Sequence, residues 1–191
     1  MKMNTVHLLE KRINEIATLS TESKTLLFEH IHIKNSVRGE LLLSEGQVCH
    51  HIYFIEKGCL RTYVNKDGKE INLNFGIENN FVTDLKSLRT GAPSEACIQA
   101  CEPTSAWVFE KQSLMDLYTQ SAEITQFGRN LLEQLLAEQE EHTHLFKLKT
   151  PTERYFHIVK HNPALLQKIS LTQLASYLGI SRETLGRIRR K

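Results

Sequence analysis

The chain has 191 residues, with 24 Lys and Arg against 22 Asp and Glu, a formal net charge of +2 and 40% hydrophobic residues. That balance suits one globular domain or two small ones, and it excludes a surface that is basic all over, so any partner surface of one sign has to be local. No run approaches the roughly 18 apolar residues of a membrane span, and no apolar segment follows the opening MKMNTVHLLEKR, so a cytoplasmic protein without a membrane partner is expected. The four cysteines, Cys49, Cys59, Cys97 and Cys101, are expected as reduced thiols in that setting.

Val6, Leu9, Ile13 and Ile16 predict a short amphipathic helix, and Thr21 to Ile31 a second, weaker one. The period then changes. Between Val37 and Phe109 the chain runs through short β-rich segments, GELLL, HIYFIE, CLRTYVN, EINLNF, ACIQAC and SAWVF, spaced as in a sandwich or barrel. The clearest hairpin spans Arg61 to Phe75, with Asp67-Gly68 as a two-residue turn and Ile71, Leu73 and Phe75 alternating with Asn72 and Asn74, which predicts one buried face and one wet face.

After Phe109 the period returns to helical. Ser121 is expected to open a long helix reaching about Leu148, striped by Ile124, Phe127, Leu131, Leu132, Leu135 and Leu136. Such a stripe fits packing on the β module or a parallel dimer seam. We favour a parallel dimer seam of Ile124, Phe127, Leu131 and Leu135. Thr150-Pro151-Thr152-Glu153 combines a capping box with proline at the first helical position, and the helix it starts is expected to stop before Asn162-Pro163.

The last segment, SLTQLASYLGISRETLGRIRRK, is the most specific. Ser170 and Gln173 form a capping box, Leu174 and Leu178 share a face, Ala175 admits a close helix crossing, and Gly179 supplies a positive-φ stop. Ile180 fills the corner, Ser181 caps a second helix, and Leu185 and Ile188 turn back to the first. From Ser181 to Lys191 five cations, Arg182, Arg187, Arg189, Arg190 and Lys191, face one anion, Glu183. A charge of one sign with arginines near the helix start suits phosphate attraction and guanine recognition.

With these elements in order, the chain resembles the bacterial Crp/Fnr transcription regulators. SRETLGR carries most of the resemblance, and GELLLSEGQ, YFIEKGCLRTYV and DGKE are similar to the family's β-roll. The implied fold is α+β: a cyclic-nucleotide-binding-type β-roll with N-terminal helices over 1–119, a connecting and dimerisation helix over 120–149, and a helix-turn-helix DNA-binding domain over 150–191. The family's usual β wing is expected to be absent, since the sequence stops at Lys191. The implied partners are double-stranded DNA, a second copy, RNA polymerase and a small-molecule effector. By position in the motif, Arg182, Glu183 and Arg187 would read bases, while Thr172, Thr184, Arg189, Arg190 and Lys191 would hold phosphates.

The effector window departs from the family pattern. Cyclic-nucleotide-binding members carry Gly-Glu on a short helix and Arg-Ser or Arg-Thr just before a strand, whereas this window reads FVTDLKSLRTGAPSEACIQA. It contains Asp84, Leu85, Arg89 and Thr90, then Ser94-Glu95 where the arginine pair would fall. A carboxylate there repels a cyclic phosphate. No cofactor is expected. An iron-sulfur cluster is not expected either, because no cysteine precedes Cys49. Cys97 and Cys101 share a strand face, but four extended residues span about 13 Å, so they are expected as small hydrophobes and not as a bridge.

An alternative from another class is a cupin-like metal enzyme with an incidental basic tail, suggested by His30-Ile31-His32 and His50-His51. The glutamate spacing after His32 fails, since the first is Glu40, and adjacent strand histidines point to opposite faces. A haem ligand stays open at either pair. No metal site or catalytic residue is therefore assigned, and the regulator is favoured over an enzyme.

Overall fold

The computed structural model describes residues 5–190, with side chains from Leu8 onward. The Val6 side chain and the predicted phosphate contact Lys191 lie outside the described part. Helices α1 (Thr5–Ile16) and α2 (Thr21–Glu29) lead into strands β1 (His32–Ser36), β2 (Leu41–Leu43), β3 (His51–Lys57), β4 (Cys59–Lys66), β5 (Lys69–Ile77) and β6 (Phe81–Val82). Helix α3 (Leu85–Thr90), strands β7 (Cys97–Ala100) and β8 (Thr104–Glu110), and helix α4 (Lys111–Gln120) follow. Helices α5 (Ala122–Leu148), α6 (Pro151–His161), α7 (Leu165–Lys168), α8 (Leu171–Leu178) and α9 (Arg182–Ile188) complete the chain.

Two antiparallel four-stranded sheets, in the orders β1-β8-β3-β6 and β2-β7-β4-β5, build the β-roll. Phe54, Ile55, Leu60, Ile98 and Phe109 fill it, and Leu9, Ile13, Leu27, Leu117, Ile124, Phe127 and Leu131 close the same core from the helices. The hairpin turn is as the sequence predicts: Asp67 (φ 53°) and Gly68 (φ 76°) both take positive φ, the two-residue geometry whose twist matches the strands it joins. Strand β1 is not foreshadowed in the sequence. HIKNS has no alternation, and it becomes a strand by pairing with β8, from His32 opposite Val108 to Ser36 opposite Thr104.

Two expectations are corrected. In β5 the alternation is inverted up to a bulge opposite Thr62 and Tyr63: Ile71 and Leu73 are exposed, while Asn72 is 4% exposed and Phe75 is buried. Asn72 turns inward because α8 docks there: its amide donates to Ser176 Oγ at 3.1 Å, and Nδ2 donates to Gln173 O at 3.4 Å. The second correction concerns the proposed dimer seam. Ile124, Phe127 and Leu131 are at most 2% exposed within a single chain, because they cap the β-roll beside Phe109. Leu135 is half-buried against the same core, whereas Leu132 and Leu136 face outward.

A second apolar cluster seats the C-terminal helices on the β4–β5 ribbon. It joins Cys59 and Phe75 to Ile158, Leu165, Ile169, Leu174, Tyr177, Leu178 and Leu185. Polar ties flank it. Lys168 Nζ reaches Glu78 at 2.8 Å and Glu102 at 2.7 Å. Burial pulls the Lys168 ammonium downward in pKa, but the two carboxylates outweigh it and the net direction is up. Arg154 donates to the carbonyls of Lys149, Leu178 and Phe146, and its guanidinium lies 4.7 Å from the Phe146 ring centre, which locks the α5–α6 corner to the end of α8.

Candidate nucleic-acid interface and effector site

The α8–α9 corner follows from its local chemistry. Gln173 N donates to Ser170 Oγ at 3.2 Å and Gln173 Oε1 accepts from Ser170 N at 2.9 Å, which completes the capping box. Gly179 stops α8 in the left-handed region (φ 71°, ψ 33°), with its amide bonded back to Ser176 O. No side-chain neighbour crowds that position, so glycine is required there by the backbone conformation alone. Ser181 Oγ then accepts from Thr184 N at 3.2 Å and starts α9.

Leu185 lies in the C-terminal cluster and Ile188 is buried beside it in sequence, so the rest of α9 faces outward. Arg182, Glu183, Arg187, Arg189 and Arg190 are all exposed, and Thr184 is half-buried against Ser181. Thr172 is exposed on the first turn of α8. Glu183 is held below the ordinary carboxylate range by backbone hydrogen bonding in the first helical turn, by Ser181 and by the flanking Arg182 and Arg187, so it is an acceptor. Arg190 Nε donates to Gly186 O at 3.2 Å and caps the end of α9. The result is a helix presenting forked donors of one sign around a single acceptor, on a support fixed by Leu185 and Ile188.

The effector-window residues are divided by the structure. Asp84 caps α3, accepting from Ser87 N at 3.1 Å, and its other oxygen accepts from Ser94 Oγ at 2.6 Å. Ser94 is 3% exposed and Ser87 1%, and Ser87 Oγ ties Ala92 O to Cys49 N. Leu85 is half-buried beside them. Arg89, Thr90 and Glu95 are not brought into this knot. Arg89 is exposed on α3, Thr90 Oγ1 bonds back to Lys86 O, and Glu95 pairs with Lys86 at 2.7 Å on the surface. The window that the family resemblance assigns to a cyclic phosphate thus holds a carboxylate and a serine satisfying each other. These residues do not fit that group.

Among the described residues, no three His, Cys, Asp or Glu side chains stand together as a metal site. No described helix is long and apolar enough to cross a membrane. A surface hollow lined by Glu10, Thr21, Lys24, Thr25, Phe28 and Glu29 shares no residue with either site.

Residues 33–121 match the family model of the cyclic nucleotide-binding domain. Over that stretch the chain is similar to a cyclic nucleotide-binding domain. Its fold is shared with FixK2 from Bradyrhizobium japonicum, at a TM-score of 0.70 and 18% identity over 84% of this chain and 83% of that one. It is also shared with a transcriptional regulator of the Crp/Fnr family from Eubacterium rectale, at a TM-score of 0.66 and 19% identity over 90% of this chain and 82% of that one. The catabolite activator protein of Thermus thermophilus superposes at 0.55, with 19% identity over 90% of this chain and 83% of that one. A curated relative is the potassium channel GORK of Arabidopsis thaliana, 24% identical over 84% of this chain; the alignment spans 19% of that relative's length. The β-roll with its helices matches the fold of these three structures.

Arg154, Lys168, Asn72 and Cys59 carry the joint between the β-roll and the C-terminal helices and were not singled out from sequence. Their roles depend on partners dozens of residues away. The polar alternation in EINLNF was the one local sign, since an asparagine facing a core needs a partner.

Proposed function

We propose that the chain is a transcription regulator of the Crp/Fnr type, a homodimer that reads an inverted DNA repeat with α9. The observation that carries this reading is the outward face of α9 and the turn after it, where Arg182, Arg187, Arg189 and Arg190 are exposed with the single acid Glu183 while Leu185 and Ile188 are buried. Arginine forks hold guanine O6 and N7, a carboxylate accepts from the cytosine amino group, and arginines at the helix end neutralise phosphates. Arg182, Glu183 and Arg187 are the base readers. Thr172, Thr184, Arg189, Arg190 and Lys191 are the phosphate contacts.

Three segments have separate roles in this reading: residues 1–119 sense, 120–149 connect and dimerise, and 150–191 bind DNA as a helix-turn-helix. The dimer forms through the exposed Leu132 and Leu136 of α5, in place of the inward residues of the stripe. The β-roll responds to an effector other than a cyclic nucleotide, because Asp84 and Ser94 close the phosphate position. RNA polymerase is the partner through which a bound dimer would act, and no catalytic role is assigned. Selection of bound sites from random double-stranded DNA tests the reading: recovered sites are expected to carry TGTGA-like half-sites, inverted and centred about one helical turn apart. Recovery of no enriched sequence, or of sites without an inverted repeat, overturns it.

A further inference from the structure

The sequence pairs Cys101 with Cys97 only by proximity along one strand; the sheet register pairs it with Cys59. Leu60 stands opposite Ala100 across the β4–β7 ladder, so the next positions outward are Cys59 and Cys101. The Cys101 amide donates to Cys59 O at 2.8 Å. The Cys59 amide turns instead to Thr104 Oγ1 at 3.2 Å, so one of the two ladder bonds is kept; opposed residues in antiparallel ladders have Cα atoms about 4.5 to 5.5 Å apart and side chains on one face, a separation within the roughly 4.4–6.8 Å that a disulfide accepts. Both thiols are free.

Their surroundings differ from those of the other two cysteines. Cys49 is buried with its thiol on His51 O and Thr83, and Cys97 is buried as the acceptor of the Glu45 amide. Cys59 is fully buried, whereas Cys101 is part-exposed at the rim. A part-exposed cysteine therefore stands opposite a fully buried one across the ladder. We propose that Cys59 and Cys101 form a dithiol that a hydroperoxide oxidises to a disulfide, placed at the joint between the β-roll and the C-terminal helices.

The chemistry suits this order of events. Hydrogen bonding from the Cys59 thiol holds Cys101 below the usual thiol range against the effect of burial, with Arg61 and Arg38 adding to it and Glu102 opposing, while the same contact and burial push Cys59 up. The Cys101 thiolate attacks one oxygen of the hydroperoxide. A sulfur–oxygen bond forms, the oxygen–oxygen bond breaks, and the departing alkoxide or hydroxide takes a proton and leaves as alcohol or water. Cys101 is then a sulfenic acid. The Cys59 sulfur gives up its proton and attacks the Cys101 sulfur, the sulfur–oxygen bond breaks, and hydroxide leaves with that proton as water. Two thiols and one hydroperoxide become one disulfide, one alcohol or water, and one water.

The location gives the bond a consequence. Cys59 belongs to the apolar cluster that seats the C-terminal helices, and Gln173, half of the capping box of α8, has its Nε2 4.0 Å from Cys101 Sγ. Drawing the Cys101 sulfur onto Cys59 removes that contact. Oxidation is therefore coupled to the seat of α8.

The test is mass mapping of the intact chain after hydrogen peroxide, with alkylation under denaturing conditions. Alkylatable thiols are expected to fall from the four present to two, with a Cys59–Cys101 cross-linked peptide that dithiothreitol removes. In Cys59→Ala, Cys101 is expected to stop at a dimedone-reactive sulfenic acid. Because the wild-type map needs no substitution, a variant that fails to fold leaves the test intact. Four alkylatable thiols after peroxide, or Cys101 oxidised with no link to Cys59 in the wild type, overturn the proposal. Hydrogen exchange of the α8 amides is expected to be faster in the oxidised form, and equal rates in both forms overturn the coupling.

Discussion

Arg187 lies on α9 and Arg190 just past its end, and the proposed reading gives them different roles. Arg187 is exposed one turn after Glu183, while Arg190 is tied by its Nε to Gly186 O beyond the end of α9. A bidentate base contact discriminates among sequences, and a phosphate contact does not. Arg187→Ala is therefore expected to cost about 1 to 3 kcal/mol of specific binding and to relax the preference at one guanine. Arg190→Ala is expected to weaken all sequences alike and to flatten the salt dependence. Binding titrations on selected and scrambled sites at two salt concentrations separate the two; unchanged sequence preference in Arg187→Ala would sink the assignment of base readers.

Among the elements, α5 changed most between sequence and structure. Its apolar stripe is real, but periodicity shows only that a face is covered, not what covers it. The β-roll takes Ile124, Phe127 and Leu131, so Leu132 and Leu136 are the exposed apolar residues left for the proposed dimer. Two substitutions tell these faces apart. Leu136→Lys is expected to leave the monomer folded and shift sedimentation from dimer to monomer, whereas Leu131→Lys buries an unpaired charge in the chain's own core and is expected to unfold it. A Leu136→Lys protein that stays dimeric at micromolar concentration rules out this seam. Local signals elsewhere were legible: the boxes at Thr150–Glu153 and Ser170–Gln173, the Gly179 stop and the Asp67-Gly68 turn all form from neighbours in sequence. Partners fixed at long range were not, as with β1 on β8, the inverted Ile71 and Leu73, and Cys59 opposite Cys101.

At the scale of the whole molecule, the C-terminal helices rest on the β-roll through a joint that contains a titrating group. His142 of α5 stacks on Phe146, and its Nε2 lies 3.1 Å from Tyr177 OH of α8. Burial holds this imidazole below its ordinary value of 6.5. The unfolded chain therefore takes a proton where the folded chain resists one, so stability is fully present above pH 6.5 and is lost as pH falls through it toward the lower folded value. Half-buried His51 acts in the same direction. His142→Gln is expected to narrow the fall in Tm on acidification across that window, as read by thermal melts at a series of pH values. An unaltered pH dependence would remove His142 from the joint.

The same scale decides what the β-roll can answer to. A micromolar ligand supplied at millimolar concentration adds about 4 kcal/mol to the folded state, which for a chain of 191 residues raises Tm by roughly 10 °C. A cyclic phosphate would need its charge met where Asp84 accepts from Ser94 at 2.6 Å, with Ser94 itself buried. Opening that pair exposes a carboxylate to a phosphate, and the nearest arginine of the window, Arg89, faces solvent on α3. Repulsion and a lost hydrogen bond both oppose entry. Millimolar cyclic AMP or cyclic GMP is therefore expected to leave the melting curve and the DNA affinity unchanged, whereas a saturable calorimetric signal in the micromolar range would mean that α3 rebuilds around Arg89 and Thr90 to make a phosphate site.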